Sequence, residues 1–487
     1  MCLILLNAVA VGLRHALPMD TLTKSPNPLG WTFDPELLRR HDRPGPRYTS
    51  YPTAPHFHDG YGVEQFRAAI ARSNASSRLL SLYVHVPYCT SPCFYCGCNR
   101  VISRDRSKGK PYVDRLLQEA ERVGALFTPE REVIQLHLGG GTPNFLAPSE
   151  LERMVAGLGR YFHFSESADR DFSIELDPRW VSIEDIGALA RLGFNRASLG
   201  VQDFDPEVQQ AINRIQGVDE TLAIINACRD AGMRSVNVDL IYGLPRQTLE
   251  GFARTLDTVL QVRPDRLAIY GYAHLPQMFK AQRQIVDAEL PGPELKLALL
   301  GLAVQRLSAA GYQYIGMDHF ALPEEDLSRA QRQGSLHRNF MGYTTHADSD
   351  LVGLGVSAIS RIDNSYSQNP RDLKSWEANI DAGKLPVWRG LEMTQDDLLR
   401  AELIQQLMCH GRVDGRALAA AYGLDFERDF AAEICALQQL VDDGLARIQD
   451  GVVSATTPGR PLLRLIAMCF DRYLKAPQQP ATYSKAI

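Results

Sequence analysis

From residue 63 onward the chain alternates between two kinds of hydrophobic pattern. Short apolar runs, rich in β-branched and aromatic residues, are separated by longer segments in which apolar residues recur every three or four positions. The short runs are typical of buried strands and the longer segments of amphipathic helices. Strands are predicted at residues 80–86, 133–138, 171–176, 196–200, 235–241 and 266–270. Helices are predicted at residues 112–126, 151–160, 220–231 and 249–262.

Strands that alternate with helices in this way pair in parallel and are joined by right-handed crossovers. Six such units predict an α/β fold, built as an incomplete parallel (β/α)6-type barrel. In barrels of this kind the functional residues lie just past the carboxyl ends of the strands.

The segments that flank this repeat differ from it in composition. Residues 20–60 are rich in Pro, Tyr and Arg, so we expect an extended arm there rather than a helix. The arm could be a linker, pack on the barrel or lie over the mouth of the site. Three parts are predicted: an N-terminal extension and arm at residues 1–62, the barrel domain at residues 63–375, and a mostly helical C-terminal domain at residues 376–487.

The later part of the chain is predicted in less detail. A helix is expected at residues 293–310, a polar loop at residues 338–343, and a strand or loop returning to the barrel at residues 351–360. A hairpin expected at residues 445–453 gives the C-terminal domain the character of a winged helix. Its arginines alternate with acids and form no basic stripe, so we expect a lid or structural domain and no nucleic-acid binding.

Composition and charge exclude some classes of protein. The 487 residues are 45% hydrophobic and 22% charged, with a formal net charge of −5, which argues against a nucleic-acid surface. Residues 2–13 are apolar, but a membrane span needs about 20 such residues. We expect residues 1–18 to precede the real start, with Met19 as a candidate start and a targeting segment as the alternative. The protein is then expected in the cytoplasm, away from the membrane.

The first predicted strand ends in a loop with four cysteines. Cys89, Cys93 and Cys96 have the spacing C-x3-C-x2-C, and Cys98 follows after one residue. Such crowding indicates a metal, a disulfide or redox chemistry. Zinc prefers two separate C-x2–4-C arms, and Cys96 and Cys98 are too close to share one ion comfortably. Disulfides are disfavoured in a chain without a convincing secretory signal. Both remain alternatives to an iron–sulfur cluster.

Polar residues and glycines also follow the other predicted strands. They include Gly139 to Thr142 after the second strand, Glu175 at the end of the third, Gln202 after the fourth and Asp239 in the fifth. Each has a plainer interpretation as a turn, a structural ion pair or a helix cap. Their recurrence at one end of consecutive strands favours ligand binding.

These features together resemble a known family. The C-x3-C-x2-C loop after a strand, with an aromatic residue before its last cysteine, resembles the radical S-adenosylmethionine (SAM) enzymes. With the arm at residues 47–53, the glycine run and residues 355–360, the chain is similar to the oxygen-independent coproporphyrinogen III oxidases from about residue 30 onward. Related haem chaperones typically lack a cysteine corresponding to Cys98. A haem chaperone and a structural zinc protein are the competing hypotheses.

The resemblance implies a [4Fe–4S] cluster with three cysteine ligands and one open iron, two SAM sites, and coproporphyrinogen III as substrate. A 5′-deoxyadenosyl radical would take a hydrogen from the β-carbon of a propionate, and the substrate radical would then lose carbon dioxide and an electron, leaving a vinyl group. Two propionates react in turn. An electron donor such as a flavodoxin or ferredoxin is implied, and a monomer is the default expectation.

The resemblance also implies roles for individual residues. Cys89, Cys93 and Cys96 hold the cluster, and Tyr83 and Cys98 are the catalytic candidates. The first SAM is contacted by Tyr83, Gly140, Glu175 and Ile359. The second SAM is contacted by Tyr95, Gly141, Thr142, Gln202, Arg214, Asp239 and Ala273. For the substrate carboxylates, Arg47 and Arg338 are the expected partners.

Overall fold

The structure is a computed structural model, and it describes residues 36, 40, 41 and 43–475. The apolar segment at residues 1–18 and the candidate start Met19 lie outside the described residues. Among those described, no helix combines the length and the apolar character that crossing a membrane requires.

Strands are present at the positions of the short apolar runs and at further positions along the chain. They are β1 Leu79–Val86, β2 Tyr88–Cys89, β3 Val101–Ile102, β4 Glu132–Gly140, β5 His163–Phe164, β6 Asp171–Leu176, β7 Arg196–Gln202, β8 Ser235–Tyr242, β9 Arg266–Gly271, β10 Gln313–Gly316, β11 His319–Ala321, β12 His337–Asn339, β13 Gly342–Thr344, β14 Ser349–Leu354, β15 Ile359–Ile362, β16 Ser365–Gln368, β17 Arg389–Glu392, β18 Arg412–Asp414, β19 Ala446–Gln449 and β20 Val452–Ala455.

Helices occupy the intervening amphipathic segments. They are α1 Val63–Ser73, α2 Gly109–Gly124, α3 Pro148–Tyr161, α4 Ile183–Arg191, α5 Pro206–Ala211, α6 Val218–Asp230, α7 Leu249–Val262, α8 Pro293–Ala309, α9 Asp326–Gln333, α10 Leu373–Asp381, α11 Gln395–His410, α12 Gly415–Ala421, α13 Phe426–Asp429, α14 Ala431–Asp442 and α15 Leu463–Met468. All six predicted strands of the repeat and its four predicted helices are present, with ends shifted by a few residues.

One large sheet organises the molecule. Its order is β10-β11-β9-β8-β7-β6-β4-β1-β14-β15-β16-β17, and β5 pairs with β4. In this order, the neighbouring strands β9, β8, β7, β6, β4, β1 and β14 are parallel to one another. Their carboxyl ends therefore meet at one edge, and the predicted parallel α/β architecture is confirmed. Within the described residues the two outer strands β10 and β17 do not pair, so the sheet is open.

The sheet is stabilised by apolar side chains on one of its faces, whereas alternate residues of the same strands place polar side chains on the opposite face. Leu82, Val84 and Val86 of β1 are fully or almost fully buried, as are Leu136 and Leu138 of β4. Such near-continuous burial is expected of parallel strands that are covered by helices. Hydrophobic burial of this extent fixes the register, because a one-residue shift would move every inward side chain to the other face.

Two regions differ from the expectation or extend it. The expected polar loop at residues 338–343 is wrong in form, because β12 and β13 pair there as an antiparallel hairpin. The expected strand or loop at residues 351–360 is the end of β14, a turn and the start of β15. Period-two patterns in strands of three residues are too short to recognise in a sequence.

In the C-terminal part, helices pack around a small three-stranded sheet with the strand order β18-β20-β19. The predicted hairpin is therefore present as β19 and β20. The predicted domain division at residue 376 stays a prediction. In the structure Trp376 is buried in the core under the main sheet, and β17 is a strand of that sheet.

Candidate active site

The cysteine loop connects β2 to β3 at the carboxyl edge of the sheet. Arg100 donates hydrogen bonds from its two terminal nitrogens to the carbonyl oxygens of Cys96 and Cys93, at 3.0 and 3.2 Å. On the other side, the backbone N–H of Phe94 donates to the carbonyl of Ile212 at 3.0 Å. The loop is thus fixed both to itself and to the segment that follows α5.

Each of the three motif sulfurs accepts at least one hydrogen bond, and all four loop cysteines are free thiols. The contacts are Thr142 Oγ1 to Cys89 Sγ at 3.3 Å, Arg214 Nη1 and Arg179 Nη2 to Cys93 Sγ at 3.6 and 3.7 Å, and the backbone N–H of Cys98 to Cys96 Sγ at 3.4 Å. Donors directed at sulfur stabilise thiolates, and three thiolates are a donor set that fits an iron–sulfur cluster. Among the described residues, no three His, Cys, Asp or Glu side chains converge on a point that could hold a single metal ion.

The thiols of the loop differ in acidity. The hydrogen bond with Cys98 lowers the pKa of Cys96 to about 6, against the effect of burial. The same hydrogen bond raises the pKa of Cys98. Burial raises the pKa of Cys89 to about 11, and coordination to a metal would reverse this shift. Cys98 thereby differs from its neighbour Cys96 in keeping its proton at neutral pH.

Glu175 lies against a wall built from β1 and β4. His137 Nε2 is 3.3 Å from its Oε1, and the N–H of Gly140 donates to its Oε2 at 3.1 Å. Burial acts to raise the pKa of Glu175, but His137 and the Gly140 amide outweigh it and lower that pKa. Tyr83 stacks on His137 with 5.9 Å between ring centroids, and His85 Nδ1 is 3.1 Å from its hydroxyl. The wall therefore presents an ionised carboxylate beside two imidazoles and a phenol.

Close packing explains the glycines next to this wall. Gly140 has a φ of +105°, and a Cβ placed on it would lie 2.4 Å from the His85 ring. A Cβ on Gly141 would lie 2.6 Å from the backbone of Pro87. A larger residue at either position would displace β1 or the start of the cysteine loop. Packing alone accounts for both glycines, so their contact with SAM stays a prediction.

Asp239 faces the interior from β8 with neutral partners. It accepts hydrogen bonds from Ser198 Oγ at 3.1 Å and from Asn237 Nδ2 at 2.8 Å. Burial raises the pKa of Asp239 to about 6. Asp239 and Glu175 both line an interior cavity of about 160 Å³. The cavity is also lined by Asp171, Arg196 and Arg266, but Asp171 is matched by Arg196, so the carboxylates left without an arginine partner suit a positively charged ligand.

Arg214 connects the cysteine loop to the neighbouring strands. Its guanidinium donates to the carboxylate of Asp177 at 3.2 and 3.3 Å and to the carbonyl of Gly200 at 2.5 Å. Its Nε is buried without a partner among the described residues. Nearby, Gln202 has a φ of +69° at the end of β7, a backbone conformation that residues other than glycine rarely adopt. Backbone strain of this kind is concentrated at functional positions.

The remaining predicted SAM residues lie on the two sides of the loop. Gln282 Nε2 donates to the carbonyl oxygens of Tyr95 and Ala273, at 2.9 and 3.2 Å, and so links the loop to the segment after β9. Ile359 opens β15 beyond the end of β14. The predicted cofactor residues therefore lie in the carboxyl half of the parallel strands or in segments beyond it, whereas their individual roles remain predictions.

The N-terminal arm contacts the turn between β10 and β11 and the hairpin β12–β13. Arg47 forms an ion pair with Asp318 and lies 5.8 Å from the centre of the Tyr270 ring. Arg338 lies over the ring of Tyr343 at 4.7 Å, and its Nε is 3.4 Å from the Arg47 carbonyl. Because Asp318 balances its charge, Arg47 has less capacity to bind a substrate carboxylate than the sequence suggested.

Residues of the site that were not singled out from the sequence include His85, His137 and Gln282. Tyr83 and His85 are two positions apart on β1 and so share a face, and His137 is the register partner of Tyr83 on β4. This alternation could have identified both histidines. Gln282 lies in a short 3-10 helix, where no periodic signal marks it.

An open parallel sheet with a three-cysteine loop near the carboxyl end of its first strand defines the class of radical SAM enzymes. Residues 83–259 match the model of the radical SAM superfamily, and residues 393–462 match that of the HemN C-terminal domain.

Relatives match along nearly the whole chain. The oxygen-independent coproporphyrinogen III oxidase of Pseudomonas aeruginosa is 48% identical over 91% of this chain and 96% of the relative. The Escherichia coli enzyme is 44% identical over 93% of this chain and 98% of the relative. A solved structure of coproporphyrinogen III oxidase (HemN) from Escherichia coli, described as a radical SAM enzyme, matches with a TM-score of 0.86 and 44% identity, covering 92% of this chain and 100% of that chain. The chain belongs to the family of oxygen-independent coproporphyrinogen III oxidases.

Proposed function

We propose that this enzyme converts coproporphyrinogen III to protoporphyrinogen IX without oxygen, in haem biosynthesis. Two propionate side chains are oxidatively decarboxylated to vinyl groups. The observation that carries this proposal is the 48% identity to an oxygen-independent coproporphyrinogen III oxidase over 91% of the chain. The three-cysteine loop at the carboxyl edge of the sheet supports it independently.

In this proposal Cys89, Cys93 and Cys96 are the three ligands of a [4Fe–4S] cluster whose fourth iron stays open. When bound, the cluster and SAM supply the 5′-deoxyadenosyl radical that takes a hydrogen from the propionate β-carbon. The chain itself binds and orients the reactants and excludes side reactions. Glu175 is ionised and would accept hydrogen bonds from the positively charged amino group of the first SAM.

The other assignments follow the family resemblance. Tyr83, Gly140 and Ile359 complete the first SAM site. A second SAM would be held by Tyr95, Gly141, Thr142, Gln202, Arg214, Asp239 and Ala273.

Tyr83 and Cys98 are proposed to orient the substrate. Burial and the Glu175 charge raise the pKa of Tyr83, and the hydrogen bond with Cys96 raises that of Cys98. Both groups therefore keep their protons near neutral pH and can donate hydrogen bonds.

We further propose a small electron-transfer partner, such as a flavodoxin or ferredoxin, a monomeric state and a cytoplasmic location. Gly97 and Cys98 are exposed, so the cysteine loop has a surface that an electron donor could approach.

The proposal is tested by anaerobic reconstitution with iron and sulfide, followed by incubation with SAM, reductant and coproporphyrinogen III. We expect protoporphyrinogen IX and 5′-deoxyadenosine from the wild type and neither product from Cys93→Ala. Cys435→Ala removes an exposed cysteine of α14 and is the matched control, expected to retain activity. Stable haem uptake without product would contradict the enzyme and favour a haem chaperone.

A further inference from the structure

A second cavity lies between the N-terminal arm, the hairpin β12–β13 and α11. Its volume is about 490 Å³, within the range of roughly 300 to 1,000 Å³ that is common for small-molecule sites. Residues 48–51 of the arm and residues 334–340 form part of its wall, whereas the interior cavity is lined by residues 341–344 of the same hairpin.

The wall of this second cavity contains two arginines without anionic partners in the described part of the chain and a histidine with an unpartnered ring nitrogen. Arg361 Nε, Arg338 Nη1 and His410 Nδ1 are all buried and have no hydrogen-bond partner among the described residues. Arg338 is only 5% exposed. The acidic residues of the wall, Asp348 and Glu402, are exposed at its rim. Burying a guanidinium without a counter-charge is costly, so this arrangement favours an anionic ligand.

The neighbouring histidine is kept neutral, mainly by its burial. Burial first, and then the charges of Arg361 and His410, lower the pKa of His337 to about 3. His337 is therefore neutral at physiological pH. It can accept or donate a hydrogen bond there but adds no charge of its own.

The backbone relates this cavity to the proposed reaction site. Arg361 is two residues after Ile359 on β15, so the two side chains share one face and lie about 7 Å apart along the strand. His337 and Arg338 are consecutive on β12, so their side chains point to opposite faces of the hairpin. Arg361 lies near His337, on whose pKa its charge acts, whereas Arg338 is on the other face of the hairpin. The two arginines therefore provide two separate cationic positions, which suits a ligand with more than one carboxylate.

We propose that this cavity binds the propionate carboxylates of coproporphyrinogen III that are not converted to vinyl groups. Arg361 is the principal anchor and Arg338 the second. This inference rests on the proposed function, since the four carboxylates of that substrate supply the anions. Arg361 thereby determines substrate affinity without taking part in the chemical step.

The experiment uses the cluster-loaded protein without reductant and two unreactive probes. Coproporphyrin III has four propionates, and mesoporphyrin IX keeps only the two that correspond to the unconverted ones. We expect Arg361→Gln to weaken the binding of both probes by about 10- to 100-fold, the value of a charge-assisted hydrogen bond. In turnover the KM for coproporphyrinogen III should rise by a similar factor, while kcat changes by less than about threefold.

Two further variants control for folding and net charge. Arg361→Lys keeps the charge and is expected to restore part of the affinity. Arg447→Gln makes the same charge change on the exposed β19 and should leave binding unchanged. SAM binding, measured alongside, should be the same in Arg361→Gln and wild type if the variant is folded.

Several outcomes would overturn the inference. Unchanged probe affinity in Arg361→Gln would exclude Arg361 as an anchor. Weaker binding of coproporphyrin III alone would place a reacting propionate there instead. A loss of SAM binding together with probe binding would indicate a structural role. If wild type binds both probes but forms no product, the proposed function fails while the anion site remains.

Discussion

The two ends of the parallel strands carry ionisable residues of contrasting kinds. At the amino end, Arg196 pairs with Asp171, Glu325 and Asp326, and Arg234 also donates to Asp171 at 2.6 Å. Burial would raise the pKa of Asp171, but a hydrogen bond with His346 and the Arg196 charge outweigh it and lower that pKa. Every charge in this group is matched by an opposite one.

At the carboxyl end, Asp177 is matched by Arg179 and Arg214, whereas Glu175 and Asp239 have no arginine or lysine partner among the described residues. Asp239 has only neutral hydrogen-bond partners, and Glu175 shares its charge with a histidine and a backbone amide. Both ends are rich in charge, so charge density does not distinguish them. What distinguishes them is that the carboxyl end also holds carboxylates without an arginine or lysine partner among the described residues. A matched network stabilises the fold, whereas carboxylates without cations at a cavity are available to a ligand.

The largest effect is expected at the amino end. Arg196→Met removes the cation that three carboxylates share and should lower the free energy of unfolding by about 3 to 5 kcal/mol. Urea denaturation measures the loss of stability. The activity, normalised to the folded fraction, should be retained. Arg329→Met removes a half-exposed partner of Asp326 and should cost less than about 1 kcal/mol. If Arg196→Met lost activity without losing stability, the contrast between the two ends would be mistaken.

At the carboxyl end the loss should be in activity. Glu175→Gln removes the ionised acceptor proposed for SAM and should reduce 5′-deoxyadenosine formation by about 10- to 100-fold, with little change in melting temperature. Glu184→Gln, on the exposed start of α4, serves as the control and should be silent. A stable Glu175→Gln protein with wild-type SAM affinity would remove Glu175 from the binding site.

A smaller effect, of opposite sign, is expected at Asp239. Because burial raises its pKa from 3.8 to about 6, its negative charge destabilises the folded protein above pH 6 and is protonated as the pH falls through 6 toward 4. Asp239→Asn should therefore stabilise the SAM-free protein by about 1 to 2 kcal/mol near pH 8, and the gain should vanish near pH 4. Denaturation curves at several pH values test this. A pH-independent difference would mean that Asp239 is already neutralised.

The smallest effect is expected at Tyr95. Its ring packs against the apolar cluster that includes Ile212 and Tyr272, and only its backbone carbonyl is linked to Gln282. Tyr95→Phe should change kcat/KM by less than about twofold, since the ring and not the hydroxyl does the packing. A larger loss would reveal a polar role for the hydroxyl at the carboxyl end.

The sequence alone determined the repeating α/β fold and the cysteine loop. Both depend on neighbours in the chain. Strands are marked by short apolar runs, and one loop holds Cys89, Cys93 and Cys96 together because they are close in sequence. The edge at which Glu175, Gln202 and Asp239 meet was predictable as well, because parallel strands place their carboxyl ends side by side.

Only the tertiary structure decided which charges neutralise one another. Arg196 and Glu325 are 129 positions apart, and Arg47 and Asp318 are 271 apart. No local pattern relates such residues, because their contact follows from the packing of whole elements. The cavity of Arg361 and Arg338 arose in the same way, from a short hairpin and an extended arm that have too few residues to show a period. The chemistry of the site was therefore readable in the chain, while the balance of its charges depended on the fold.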